Sequence, residues 1–302
     1  MTTPGVYETE LDQSHPVHYK TVSIKDQDVF YREAGPADAP VILLLHGFPT
    51  SSNMFRNLLP KLASQFHVVA PDYIGYGQSS MPDHGHFVYT FENQTNFVED
   101  LVRHLGLTKY ILYLMDYGAP IGYRLALRNP QAVAGMIIQN GNAYEGGLLE
   151  FWDPIKKYWH DRSAQNEASI LFLVGLDATK WQYQNGVEDT TLLDPTAWIL
   201  DQHGLDRPGN GSVQLDMLYD YRTNVPLYPD FQKFFRDFQP PTLIVWGKND
   251  FIFPPAGAEL YKQDLPELEM YLLNTGHFAL ETHSDEIAAR ILNVFLECAT
   301  QM

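Results

Sequence analysis

The sequence predicts an α/β fold, in which a mostly parallel sheet is flanked by helices and carries an inserted helical cap. Three features indicate this class. Short apolar runs alternate with helical patterns in the first half of the chain, a helix-rich stretch without such runs follows, and the alternation then resumes. Strands that alternate with helices favour a parallel sheet covered on both faces. We therefore expect residues 1–145 and 239–302 to build one core domain and residues 146–238 to form the cap.

Length and composition narrow the class of protein. The 302 residues, 45% of them hydrophobic, can bury one large core plus an insertion. The net charge of -17, without a cluster of Lys or Arg, argues against a nucleic-acid partner and weakly repels anionic substrates. The one cysteine, Cys298, cannot form an internal disulfide, which suits a reducing compartment, and its apolar surroundings predict that it fills the core.

No targeting or membrane segment is expected. No apolar run approaches the roughly 20 residues that span a bilayer, and the polar first residues lack a hydrophobic signal region. We expect a cytoplasmic monomer or homodimer without a membrane partner, acting on a small substrate of apolar to moderately polar character.

The core elements can be predicted in chain order. Residues 21–24 and 29–33, joined by a polar turn, predict an antiparallel hairpin. The continuous apolar run 41–45 is typical of a strand buried on both faces, and Phe55 and Leu62 lie on the apolar stripe of the helix that follows. The remaining predicted elements are strands at 66–70, 110–115, 133–138, 242–246 and 270–273 and helices at 91–105, 119–127, 256–263 and 285–296. Only the hairpin is expected to be antiparallel.

The chain is organised around a tight turn at Asp116. The strand 110–115 leads into this residue, and the helix that follows accommodates Pro120 in its first turn. Gly118 lets the turn close without a Cβ clash. This layout matches a nucleophile elbow, with aspartate in place of serine. Taken alone, the stretch also fits an ordinary loop in which the aspartate caps a helix.

Two further polar residues follow predicted strands. Asp250 lies in Gly-Lys-Asn-Asp after one strand, and His277 lies in Asn-Thr-Gly-His-Phe after the next. Catalytic groups in open α/β sheets gather at the carboxyl ends of the strands. Asp116, Asp250 and His277 therefore predict a triad of nucleophile, acid and histidine, in the chain order of α/β-hydrolases.

On these residues the chain resembles an α/β-hydrolase of the aspartate-nucleophile branch, which contains epoxide hydrolases and haloalkane or haloacid dehalogenases. The resemblance covers nearly the whole chain. It is carried by His46-Gly47-Phe48-Pro49, by the loop 72–79, by Asp116-Tyr117-Gly118, by Asp250 and by Gly276-His277-Phe278.

A carboxylate at the elbow favours displacement at a saturated carbon, which leaves an alkyl ester on Asp116. His277, oriented by Asp250, then activates a water that attacks this ester. The resemblance implies an oxyanion hole made of the backbone N–H groups of Phe48 and Tyr117, and a cis peptide before Pro49. Glu145 is an alternative relay acid, although Asp250 fits its loop better. No metal and no cofactor are expected.

The leaving group depends on donors in the cap. Epoxide hydrolases resemble this chain in a Tyr-Arg-x-Asn run, which assigns Tyr221 as one ring-opening hydroxyl. Tyr158 lies where the family places its other cap donor, and Trp159 and Tyr183 are its rivals as substrate-binding residues. Haloalkane dehalogenases usually place Trp after the nucleophile, where this chain has Tyr117.

An epoxide hydrolase is therefore the leading hypothesis. A dehalogenase with the same triad is the first alternative, because Trp159 and His160 can donate to a halide. A non-catalytic binder of small ligands is the second.

Overall fold

Eight strands form one sheet in the computed structural model, which describes residues 15–299 and their side chains through Leu296. The order across the sheet is β1-β2-β4-β3-β5-β6-β7-β8. The strands are β1 His18–Ile24, β2 Gln27–Ala34, β3 Val41–Leu45, β4 His67–Pro71, β5 Tyr110–Met115, β6 Val133–Gln139, β7 Thr242–Gly247 and β8 Glu269–Leu273. The expectation for Cys298 lies outside the described side chains.

The sheet is parallel from β4 to β8 and antiparallel at its other edge. The hairpin β1–β2 pairs His18 with Glu33, and β2 then pairs antiparallel with β4, where Tyr31 lies opposite Pro71. The prediction that only the hairpin is antiparallel is therefore wrong by one strand pair. The two strands of a hairpin run in opposite directions. Here β2 is the hairpin strand that pairs with β4, and it runs antiparallel to β4 and to the parallel strands beyond it.

The central strands are buried because helices cover both faces. Every residue of β3 and β5 is buried, as their continuous apolar runs predict. Successive residues of β5 point to opposite faces, so that Leu112 packs in one hydrophobic cluster and Ile111 in the other. The helices are α1 Leu59–Leu62, α2 Phe91–His104, α3 Gly118–Arg128, α4 Asp153–His160, α5 Ala164–Ile170, α6 Leu176–Gln184, α7 Pro195–Leu205, α8 Asn210–Asp220, α9 Tyr228–Phe238, α10 Pro255–Leu260 and α11 Leu280–Ala299.

Helix α1 is much shorter than the sequence pattern predicts. The segment after β3 forms a 3-10 turn at Ser52–Phe55 and then only one helical turn at Leu59–Leu62. Pro60 stands in the first turn of α1. Because proline lacks a backbone N–H and clashes with the preceding turn, it starts a helix more readily than it continues one.

The segment between β6 and β7 contributes helices α4 to α9 and 3-10 turns, and no strand. It interrupts the sheet in sequence but not in space, because β6 and β7 pair directly, with Met136 opposite Thr242. The predicted α/β-hydrolase architecture is therefore confirmed. None of the helices within residues 15–299 combines the length and the apolar character needed to cross a membrane.

Candidate active site

Asp116 occupies the turn between β5 and α3. It adopts a left-handed backbone conformation, with φ of 51°. Gly118 is required by close packing, because a Cβ at this position would lie 2.1 Å from the Leu45 carbonyl oxygen. Helix α3 has Tyr117 as its N-cap residue and no side-chain capping bond. Asp116 is therefore not the helix cap that the isolated stretch allowed.

The Asp116 carboxylate is held by backbone donors. The N–H of Phe48 donates to Oδ1 at 2.7 Å, and the N–H of Tyr117 also bonds the carboxylate. The Phe48–Pro49 peptide is cis, as the resemblance implies. Burial raises the pKa of Asp116 to about 6, against the opposing effects of His277 and of the two N–H donors.

His277 stands between the two acids. Its Nδ1 lies 2.7 Å from Oδ2 of Asp250, and its Nε2 lies 3.9 Å from Oδ2 of Asp116. Within the described residues Nε2 is buried without a hydrogen-bond partner. Burial alone lowers the pKa of His277, but the charges of Asp250 and Asp116 and the Asp250 hydrogen bond together raise it. The structure thus brings the three predicted triad residues together.

Asn140, which the sequence analysis missed, fixes the position of Asp250. It follows β6 with φ of 45°, donates from Nδ2 to Asp250 Oδ2 at 2.8 Å and accepts the Gly247 N–H at 2.9 Å. The N–H of Ile252 binds the other oxygen of Asp250 at 2.7 Å. The alternative relay acid, Glu145, is exposed beyond the end of β6 and does not contact this network. The only signal available in the sequence was the position of Asn140 directly after a strand.

His46 links the loops after β3 and β4. Its Nδ1 bonds the Gly47 carbonyl at 2.9 Å, and its Nε2 accepts the Tyr73 N–H at 3.3 Å. Burial lowers the pKa of His46 to about 3. A neutral ring can donate from one nitrogen and accept at the other, so His46 braces the loop that carries the Phe48 N–H.

Tyr221 is placed over the elbow by two contacts between the cap and the core. Its neighbour Asp220 accepts the Phe91 N–H at the start of α2 at 2.8 Å. Three residues after Tyr221, Asn224 accepts from Arg124 of α3 at 2.5 Å. The Tyr-Arg-x-Asn run therefore packs against α3, the helix that follows Asp116.

Two phenols lie side by side near Asp116. The rings of Tyr117 and Tyr221 are 6.0 Å apart between centroids, and both side chains are buried. The Tyr117 hydroxyl has no hydrogen-bond partner among the residues the structure describes. The Tyr221 hydroxyl lies 3.5 Å from that of Tyr228, which accepts from Asn142 at 3.2 Å. Burial raises the pKa of Tyr117 and Tyr221 well above the usual value.

The prediction of Tyr158 as the other cap donor is corrected by the structure. Its hydroxyl lies 3.4 Å from Oε2 of Glu167 on the next cap helix, and its ring packs against Tyr219. Tyr183 is likewise directed elsewhere, because its hydroxyl donates to Asp201 at 2.6 Å. Both hydroxyls already bind acids that lie outside the triad.

Trp159 contributes its ring but not its N–H. The ring stacks on Tyr221 at 5.7 Å with an interplanar angle of 5°, while Nε1 donates to the Leu218 carbonyl at 2.7 Å. Trp152 also packs on Tyr221, at 4.4 Å, and its Nε1 donates to the Ile252 carbonyl at 2.9 Å. Both indoles therefore support Tyr221 by packing, and their N–H groups are occupied.

Comparison with known proteins identifies the family of this chain. A family model described as the alpha/beta hydrolase fold matches residues 40–284. An uncharacterized hydrolase of Saccharomyces cerevisiae is 46% identical over 89% of this chain and 93% of the yeast protein. Epoxide hydrolase 3 of Mus musculus is 26% identical over 85% of this chain and 71% of the mouse protein.

The crystal structure of haloalkane dehalogenase DbeA from Bradyrhizobium elkani has a TM-score of 0.76 to this chain at 24% identity. The match covers 95% of this chain and 100% of the dehalogenase, and at that identity it shows the shared fold alone. The family model spans most of the chain, and the yeast hydrolase matches it over nearly its whole length. The chain therefore belongs to the α/β-hydrolase family.

Proposed function

We propose that this hydrolase opens an epoxide to a vicinal diol through a covalent ester on Asp116. The observation that carries the proposal is the kind of donor available near the nucleophile. The indole N–H groups of Trp152 and Trp159 are bonded to backbone carbonyls, whereas Tyr117 and Tyr221 present phenol hydroxyls. A halide leaves without a proton, but an epoxide oxygen leaves as a poor alkoxide and needs one. Phenols supply that proton.

In the first half-reaction the two oxygens of Asp116 have different roles. Oδ1 accepts the Phe48 N–H, which leaves Oδ2 to attack. Oδ2 forms a bond to one epoxide carbon while the bond from that carbon to the ring oxygen breaks. The electron pair moves to the ring oxygen, which takes a proton from a phenol. The product is an alkyl ester whose alcohol oxygen is Oδ2.

In the second half-reaction His277 acts as general base. The 3.9 Å between its Nε2 and Asp116 Oδ2 leaves Nε2 free to bind a water, which attacks the ester carbonyl carbon. Negative charge develops on Oδ1, where the N–H of Phe48 stabilises it, and the N–H of Tyr117 supports the same group. Asp250 stabilises the imidazolium, which gives its proton to Oδ2 as the ester bond breaks and the diol leaves. The water oxygen stays on Asp116 as a carboxylic acid, and the proton of this acid restores the phenol.

The triad geometry argues against a protein that only binds ligands. Ligand binding alone does not require a buried carboxylate, two N–H donors and an unpaired imidazole nitrogen to lie together. A dehalogenase would use the same triad, and the mouse and Bradyrhizobium proteins do not decide between the two reactions for this chain. The decision therefore requires substrates that differ only in the leaving group.

The test uses terminal epoxides and terminal bromoalkanes of equal chain length. We expect diol formation from the epoxides and no bromide release above that of the Asp116→Asn variant. Bromide release without diol would overturn the proposal in favour of a dehalogenase. Binding of both compounds without turnover of either would favour the ligand-binding alternative.

A further inference from the structure

A polar cavity of about 210 Å³ lies between the cap and the loops that follow β3 and β4. Helices α7 and α8 line its cap side, and Pro49 and Tyr76 line its core side. None of the reaction steps above uses this cavity. Its lining contains two arginines, Arg32 and Arg207, in a chain whose net charge is -17.

Neither arginine forms an ion pair with a carboxylate among the described residues. Arg32 donates to the Ser52 hydroxyl at 3.1 Å and to the Asn53 side-chain carbonyl at 2.8 Å. Arg207 donates to the Gly75 carbonyl at 2.5 Å. Within the described side chains neither guanidinium lies within 4.0 Å of a carboxylate oxygen. These acceptor oxygens hold the guanidinium groups in place but carry no compensating charge.

Arg56 lies outside the cavity and is also partly buried, but its charge is balanced by a carboxylate. It forms an ion pair with Glu281 at 2.6 Å. A partly buried guanidinium without such a partner is costly to desolvate, so two of them at one cavity indicate that an anion completes the site.

The two acids at the cavity cancel only part of the arginine charge. Asp72 accepts the backbone N–H groups of Ser52 and Gln78, each at 2.7 Å. Asp201 is buried, and desolvation raises its pKa to about 8, so at neutral pH it is mostly protonated. The two arginines (+2) and Asp72 (-1) together leave a net charge of +1. A monoanion such as a carboxylate balances this charge, whereas a phosphate dianion exceeds it.

The cavity lies beside the loop that carries the Phe48 N–H. Pro49 follows Phe48, whose N–H binds Asp116. Tyr76 lines the cavity and donates its hydroxyl to Gln214 of the cap at 2.7 Å. Burial, and after it the charge of Asp116, raises the pKa of Tyr76 well above its usual value.

We propose that this cavity is a carboxylate-binding subsite, so that the substrates of the enzyme are epoxides that carry a carboxylate. Arg32 and Arg207 hold the carboxylate, and the remainder of the substrate extends past Tyr76 toward Asp116. This inference rests on the proposed epoxide hydrolysis for its reaction, but its binding site can be tested separately.

The kinetic test compares an epoxy carboxylic acid with the amide of the same length, which is similar in size but neutral. We expect kcat/KM to favour the acid by about tenfold, as one charge-assisted hydrogen bond provides. Arg32→Gln should bring the ratio near one, and Arg32→Lys, which keeps the charge, should retain a preference. Arg103→Gln, which removes an equal charge on the exposed surface of α2, should leave the ratio unchanged.

The binding test uses hexanoate and hexanamide, which cannot react, with calorimetry on the wild type, Arg32→Gln and Arg207→Gln. Tighter binding of hexanoate that both substitutions abolish supports the subsite, even if no epoxide is hydrolysed and the proposed function fails. Equal binding of the two compounds, or an acid preference that survives in folded Arg32→Gln, overturns the subsite. Hydrolysis of neutral epoxides in that case leaves the proposed function intact.

Discussion

The hydroxyl of Tyr117 gives the sharpest test of the leaving-group assignment. Tyr117→Phe removes one donor to the departing oxygen, and losing one such donor slows a reaction about 10²- to 10³-fold. The ring stays, and with it the packing against Phe91 and Tyr221 at 4.9 and 6.0 Å. We therefore expect ester formation to slow by that factor, while ester hydrolysis changes little.

The same substitution should not destabilise the fold. The hydroxyl is buried without a partner among the described residues, and an unpaired buried polar group costs about 1–3 kcal/mol. Removing it should leave the free energy of unfolding unchanged or raise it by up to that amount. Tyr221→Phe is the matched control. It should also slow ring opening, but it loses the 3.5 Å contact with the Tyr228 hydroxyl and gains no stability.

Rapid-quench single-turnover kinetics give the rate of ester formation, and urea denaturation gives the stability. If the Tyr117→Phe variant forms the ester at the wild-type rate, the donor role of Tyr117 is refuted. Equal slowing of ester formation and hydrolysis, together with lost stability, would identify Tyr117 as a packing residue only.

Three other perturbations follow from the site. Attack requires ionised Asp116, whose pKa burial raises to about 6, so single-turnover ester formation should fall about tenfold per pH unit as the pH drops below 6. A rate that stays constant down to pH ~4.5 would contradict this. Asn140→Gly keeps the left-handed backbone but leaves the Gly247 N–H unpaired and Asp250 without its 2.8 Å donor. It should cost about 1–3 kcal/mol in urea denaturation and slow ester hydrolysis more than ester formation, and equal slowing of both steps would argue against this role. Gly118→Ala should lower stability by about 1–3 kcal/mol because its Cβ would meet the Leu45 carbonyl at 2.1 Å, and an unchanged melting temperature would count against that packing.

The sequence predicts the sheet well because strands buried on both faces must be apolar throughout. The runs at β3 and β5 carry that signal, and polar residues directly after strands necessarily meet at one sheet edge. Asp116, Asp250 and His277 could be placed by this reasoning alone. The extent of α1 could not be predicted in this way, because the apolar stripe continues through a segment that Pro60 divides.

The cap was predicted less well for a geometric reason. Consecutive residues on a helix point about 100° apart, so Tyr158 and Trp159 cannot both face the nucleophile. The direction of each is decided by partners far along the chain, such as the Leu218 carbonyl that accepts the Trp159 N–H. Asn140 was missed for a related reason, because its role depends on the pairing of β6 with β7.

The most direct test of the covalent mechanism is peptide mass spectrometry of the His277→Gln variant after incubation with an epoxide that the wild type hydrolyses. This substitution removes the base that activates water but leaves the nucleophile and its N–H donors in place. We expect the ester to accumulate, so that the peptide containing Asp116 gains the mass of the substrate. An unmodified Asp116 peptide under these conditions would contradict the covalent mechanism.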